Sequence, residues 1–179
     1  MNSGLIAYRY AKALLLYAIE EGVEDTVYHE MTAVLDSFRQ LPQIRQALSN
    51  PVTKSSEKLK LMLKMSGSTA VSKAYRRFAH MLIDNDREKL LLECSRQFLE
   101  QYREYKHIYV VHLTTATESD PTTIERITRL LMDYDNSATV EYDKKVNPDI
   151  IGGFMVQVGY IRLDGSVRRQ FSEIARNLR

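Results

Sequence analysis

The sequence predicts an α+β protein that is mainly α: a six-helix bundle over residues 1–106, then a small α/β domain over residues 107–179. Three observations carry this. The seven glycines are unevenly placed, with Gly152, Gly153, Gly159 and Gly165 in the last thirty residues and none between Gly67 and Gly152. Glycine-poor sequence rich in Leu, Ala, Met, Lys and Glu favours helices, whereas clustered glycines among Val, Ile and Tyr favour strands and tight turns. Apolar residues recur at helical spacing as far as Lys106 and give way to short β-branched runs beyond it. Finally, 179 residues at 44% hydrophobic content suffice for a core in one large domain or two small ones.

The first helix is expected over Ile6–Glu21, closed by Gly22. Asp25 or Thr26 is the expected cap of a second helix carrying Val27, Met31, Val34 or Leu35, and Phe38 on one side. Pro42 ends it. Ile44–Leu48 is a short third helix stopped by Asn50-Pro51, because a residue before proline avoids the α region. Thr53 is the expected cap of a fourth helix ending near Met65. Ser72–Asp84 forms the fifth, with Tyr75, Phe78 and Leu82 on one side, and Arg87–Tyr105 a long sixth. Beyond it, Ile108–Thr114 is a strand, and Asp120-Pro121 is a helix start with Asp as cap and Pro in the first turn. That helix runs to Tyr134. Ala138–Asp143 and Phe154–Leu163 are further strands, and Ser166 caps a final helix to Leu178.

Charge nearly balances: 25 Lys+Arg face 23 Asp+Glu, so neither a polybasic coat nor an acidic tail is present. Cys94 is the only cysteine, which excludes an internal disulfide and a multi-cysteine zinc site. The longest stretch without Lys, Arg, Asp or Glu is Ile150–Ile161, short of the roughly 18 apolar residues a spanning helix needs. His29, His80, His107 and His112 form no ligand pattern. Gly152-Gly153 lacks the lysine and following helix of a phosphate loop, and Asp84, Asp86 and Glu88 lack the spacing of a calcium loop. The reading is a non-enzymatic protein with no catalytic, cofactor-binding or metal-binding residues.

Helix surfaces are more informative. Ala13, Ile6, Tyr17, Tyr10, Leu14, Ala7, Ala18 and Ala11 fill roughly 160° of the first helix, and Leu15, Ile19, Leu5 and Leu16 cover much of the rest. Either this helix is central and covered by its own neighbours, or one stripe faces the bundle while another offers a groove for a partner's amphipathic helix. The last helix separates Val167, Phe171, Ile174, Ala175 and Leu178 from an arginine face of Arg168, Arg169, Arg176 and Arg179. That face is either simply solvated or meets an acidic partner or nucleic-acid phosphate.

The chain resembles the delta subunit family of F-type ATP synthase, known in mitochondria as the oligomycin-sensitivity-conferring protein. The resemblance begins with Arg9-Tyr10-Ala11-Lys12-Ala13-Leu14 and continues through Asn50-Pro51-Val52-Thr53 with Lys58, then Phe78, Leu82, Asn85 and Arg87. It is strongest from Asn147 to Leu178, where I-G-G, an alternating apolar strand, D-G-S-V-R and a closing helix follow in order. One departure is local: Thr117–Pro121 stands where the family often has a Pro-Leu pair.

The resemblance implies a stator component of the synthase. Its six-helix bundle grips an amino-terminal helix of an alpha subunit with the first and fifth helices, making Tyr10, Ala13, Phe78 and Leu82 the candidate groove residues. Its smaller domain meets peripheral stalk subunit b, with Arg168, Arg169 and Arg176 as candidate contacts. No nucleic acid is expected as a partner, and membrane association comes only through the complex. Tyr10 lies so close to Met1 that no organelle transit peptide is expected, which favours the cytoplasmic side of a bacterial inner membrane. The competing reading is a nucleic-acid-binding adaptor working through the arginine face.

Overall fold

The computed structural model describes residues 3–68, 70–117 and 121–177. The chain divides into two compact units, Met1–Tyr102 and Arg103–Arg179, the division falling inside the sixth helix.

The first unit is helical. Helix α1 (Ser3–Glu20) is followed by Gly22 at a left-handed φ of 65°, the expected closing residue. Helix α2 (Glu24–Gln40) buries Val27, Met31, Val34 and Phe38, the expected stripe, with Leu35 at its margin. Its start differs from expectation: Val23 holds the cap position, and Asp25 lies in the first turn, where its charge favours the helix amino terminus. Asp25 also accepts the Tyr102 hydroxyl at 2.7 Å. Helix α3 (Ile44–Ser49) follows, then α4 (Ser55–Met65), whose cap position is Lys54 and not Thr53, without a side-chain cap bond.

Helix α5 (Lys73–Asp84) is anchored twice. Ser72 Oγ accepts from Tyr75 N at 3.1 Å. The Glu30 carboxylate of α2, itself buried, accepts from Ser72 N at 2.7 Å and from the Ser72 hydroxyl at 2.6 Å. Tyr75, fully buried, donates to the Met62 carbonyl at 2.8 Å, tying α5 to α4. The expected single helix from Arg87 to Tyr105 is broken into a 3-10 turn (Glu88–Leu90) and α6 (Leu91–Tyr105). Asp86 takes a left-handed φ of 54° just before the turn, and Glu88 points inward to the Lys58 ammonium of α4.

The second unit carries β1 (Ile108–Thr115), α7 (Pro121–Tyr134), β2 (Thr139–Val146), β3 (Phe154–Val158), β4 (Ile161–Asp164) and α8 (Val167–Asn177). The four strands are ordered β2-β1-β3-β4; β1 and β2 are parallel across α7, and the other neighbours are antiparallel. Val111, Leu113 and Val156 form the core of one sheet face, packed with Ile124, Ile127 and Leu131 of α7. The expected strand over Phe154–Leu163 is two strands joined at Gly159-Tyr160, with Val158 opposite Ile161. Gly159, at φ 55°, supplies the left-handed residue such a two-residue hairpin demands. Gly153 explains the glycine motifs: at φ 75°, a Cβ there would lie 2.3 Å from the Gly165 carbonyl oxygen. Ser166 Oγ accepts from Arg169 N at 3.2 Å, the expected cap of α8. The expected cap Asp120, and Leu178 and Arg179, lie outside the described residues.

Candidate partner-binding surfaces

Helix α1 uses its small residues against its own unit. Ala7, Ala11 and Ala18 are fully buried, as nearly are Leu14 and Leu15. Leu5, Tyr8 and Leu16 remain exposed, and Ala13 lies open on the helix surface. Beside this open stripe runs a cleft of about 140 Å³, lined by Ala13, Leu14 and Tyr17 of α1 and Ala74, Arg77, Phe78 and Met81 of α5. Both helices contribute at i, i+3 and i+4 spacing, so the cleft is the seam left between two ridges of side chains. Phe78, 2% exposed, is its floor.

The four groove residues expected from sequence fall in three places. Ala13 and Phe78 line the cleft. Tyr10 is beyond its end, with its hydroxyl accepting from Arg87 Nη1 at 2.9 Å. Leu82 is 0% exposed and packs inside the unit. Sequence reasoning passed over Tyr17, Ala74, Arg77 and Met81 as groove residues. The repeat Ala74-Arg77-Phe78-Met81 was a readable stripe, but a charged residue inside it hides the pattern from a count of apolar positions. Arg77 stacks its guanidinium over the Tyr17 ring, 5.3 Å from the centroid.

The second unit has two further surfaces. One helix covers the core face of the four-stranded sheet, and the β3–β4 side is left as a trough of about 330 Å³ lined by Arg126, Ile127, Leu130, Leu131, Phe154, Val156, Val158 and Leu163. Its lining is mostly apolar and open to solvent: Leu130 is 70% and Leu163 59% exposed. On α8, Phe171 is 60% exposed. Of the candidate stalk contacts, Arg168 and Arg176 project from exposed positions, while Arg169 Nε donates to Glu173 Oε1 at 2.9 Å.

The cleft and the trough are lined mainly by apolar side chains. Burial, then the Glu93 charge, pushes the Cys94 thiol up to about 12, far from a reactive thiolate. The most perturbed carboxylate has a local structural cause: hydrogen bonds from the Ser137 hydroxyl first, then His107, hold Asp135 well below the usual carboxylate range. His107 Nδ1 lies 2.7 Å from Asp135 Oδ2, and the Tyr109 hydroxyl donates to the same oxygen at 3.0 Å, fastening the end of α7 to the start of β1.

Comparison with known proteins follows the same line. The sequence matches the family profile described as ATP synthase delta (OSCP) subunit over residues 6–178. It is 40% identical to ATP synthase subunit delta of Phocaeicola vulgatus, over 97% of this chain and 94% of that protein. It is 37% identical to the subunit of the same name in Bacteroides thetaiotaomicron, with the same coverage, and 30% identical to that of Carboxydothermus hydrogenoformans over 99% of both. Among solved structures, a chain in the cryo-EM structure of the Toxoplasma gondii mitochondrial ATP synthase hexamer shares the fold. Its TM-score is 0.70 at 18% identity, covering 99% of this chain and 97% of that one.

Proposed function

We propose, from the premise that this chain belongs to the ATP synthase delta (OSCP) subunit family, that it clamps the catalytic head of an F-type ATP synthase to its peripheral stalk. Members of the family are structural subunits, so this chain is a non-catalytic component of the synthase. In the proposed arrangement α1–α6 act as the family's six-helix bundle, spanning residues 1–106, and hold the amino-terminal helix of an alpha subunit between α1 and α5. The unit over residues 107–179 meets the distal end of subunit b. The head is thereby held still while the rotor turns, so proton flow drives ATP synthesis and does not spin the head. The complex, and not a spanning helix of this chain, brings the subunit to the cytoplasmic side of a bacterial inner membrane; among the described residues, no helix is long and apolar enough to cross one.

The observation that carries this reading is the open apolar cleft beside Ala13 and Phe78. Ala13 admits a close approach, Phe78 gives the floor, Leu82 backs Phe78 one turn along from within, and Tyr10 bounds the far end. Three or four apolar anchors at about 1.5–3 kcal/mol each give roughly 5–12 kcal/mol before the cost of ordering the partner helix. A second attachment through subunit b then adds avidity, so neither contact need be tight alone. For that second contact the candidate groups are Arg168, Arg169 and Arg176 on one face of α8 and the exposed Phe171 on its apolar face. The nucleic-acid reading lacks comparable support, because the family profile and the relatives the chain matches are ATP synthase delta subunits.

Isothermal titration with the alpha subunit's amino-terminal peptide tests the proposal. Wild-type protein should bind it with micromolar affinity or better. Ala13→Asp, which places a charge in the cleft at an exposed position, should weaken binding at least about tenfold with the fold intact. Absence of binding by wild-type protein would contradict the reading.

A further inference from the structure

We infer that the α1–α5 cleft selects a helix carrying two carboxylates about two turns apart, one for each of two tyrosine-seated arginines that close its ends. This rests on the reading that the cleft holds a helix, and adds what that helix must carry.

Tyr10 and Tyr17 are seven residues apart on α1, hence on one stripe and about 10 Å apart along the axis. Ala13 and Leu14 occupy the stripe between them. At one end the Arg77 guanidinium lies over the Tyr17 ring, 5.3 Å from its centroid. At the other, Arg87 lies over the Tyr10 ring, also at 5.3 Å, and donates to its hydroxyl. Arg77 comes from α5 and Arg87 from the turn after it, so α5 runs antiparallel to α1 and the cleft is bracketed by two like-built pairs.

Among the described residues, neither guanidinium has a carboxylate within ion-pair distance, whereas Arg39, Arg96 and Arg169 each pair with an acid on their own helix. An aromatic face positions a guanidinium through its π surface and leaves in-plane N–H donors for a planar bidentate acceptor. A carboxylate can therefore be taken up without breaking an existing ion pair. The apolar seam between the two pairs has little positional preference of its own. Two fixed charges at its ends supply the register, because an acid misplaced by one turn meets Ala13 or Phe78 and not an arginine.

The test uses full-length protein and two probes in titration calorimetry. One is the alpha subunit's amino-terminal peptide. The other is a designed amphipathic helix with a leucine stripe and two glutamates seven residues apart, made also in a lysine version. The designed glutamate peptide should bind wild-type protein and the lysine version should not. Arg77→Glu should weaken the glutamate peptide about tenfold, which is roughly 1.4 kcal/mol, and should now accept the lysine peptide. Arg87→Gln should weaken it several-fold, with circular dichroism confirming an unchanged fold. Equal affinity, within twofold, of both designed peptides for wild-type protein would overturn the inference. So would an alpha peptide that binds wild type and both arginine variants alike, which leaves the partner standing and removes the charge clamp. Binding of the glutamate peptide, lost in Arg77→Glu, while the alpha peptide does not bind would support the clamp and remove the proposed partner.

Discussion

Glu88 turns its carboxylate away from water toward the Lys58 ammonium, with both side chains nearly buried. Such a pair adds little net stability but is costly to break on one side. Lys58→Met should therefore destabilise the protein by about 3–5 kcal/mol, whereas Lys58→Met combined with Glu88→Leu should recover most of that loss. Urea denaturation of the three proteins checks this. Ile151 stores strain of another kind: it is a β-branched residue at φ 68° with its side chain largely exposed. Ile151→Gly, which has no Cβ to strain at φ 68° and ψ −40°, should raise stability by up to about 1 kcal/mol, read as a higher melting temperature. Asp135 gives the pH dependence. Its folded pKa is depressed, so its contribution is complete above its unfolded value near 4 and is lost as pH falls through the folded value. A carbon-13 NMR titration should find Asp135 still ionised at about pH 3, with the α7–β2 corner loosening only in stronger acid.

Among elements, α1 and α8 each present apolar surface that their own unit leaves uncovered. The excess on α1 was legible in the sequence because too many apolar residues surround one helix for a single buried stripe. Which stripe faces inward was not legible, because Ala7, Ala11 and Ala18 differ from Ala13 only by the neighbours that other helices bring. The same limit separates Phe78 from Leu82, one turn apart on α5, one flooring the cleft and the other wholly interior. The β3–β4 hairpin was missed because alternation continues through Gly159-Tyr160, and a glycine in a strand-like run signals a turn only when pairing is known. The Thr53 and Asp25 caps failed for a related reason: several polar residues near a helix start are chemically eligible, and packing decides among them. For α8, Phe171→Ser should change stability by less than about 0.5 kcal/mol, since the ring is already mostly in water. Under the proposed clamp it should nonetheless weaken capture of the distal part of subunit b, measured by surface plasmon resonance.

At the scale of the molecule, the proposed clamp works by being held at two places, one of them the open cleft. The clamp fails when either hold fails. Inverted membrane vesicles carrying Ala13→Asp should retain ATP hydrolysis while ATP-driven proton pumping, followed by quenching of an acridine dye, falls several-fold in proportion to the lost affinity. The family was legible from sequence because glycine positions, turn residues and helix starts recur in one order, as the packing of Gly153 against Gly165 illustrates. The resemblance also implied a groove between the first and fifth helices, but not its full lining or its bracketing arginines, which arise only when α1 and α5 lie side by side.

The most direct measurement places a photo-activated cross-linker on a cysteine introduced at Ala13 in the intact synthase, where the native Cys94 is buried and does not compete for the label. The clamp predicts a major cross-link to the amino-terminal segment of an alpha subunit. Cross-links confined to this chain itself, or to another subunit, would contradict it.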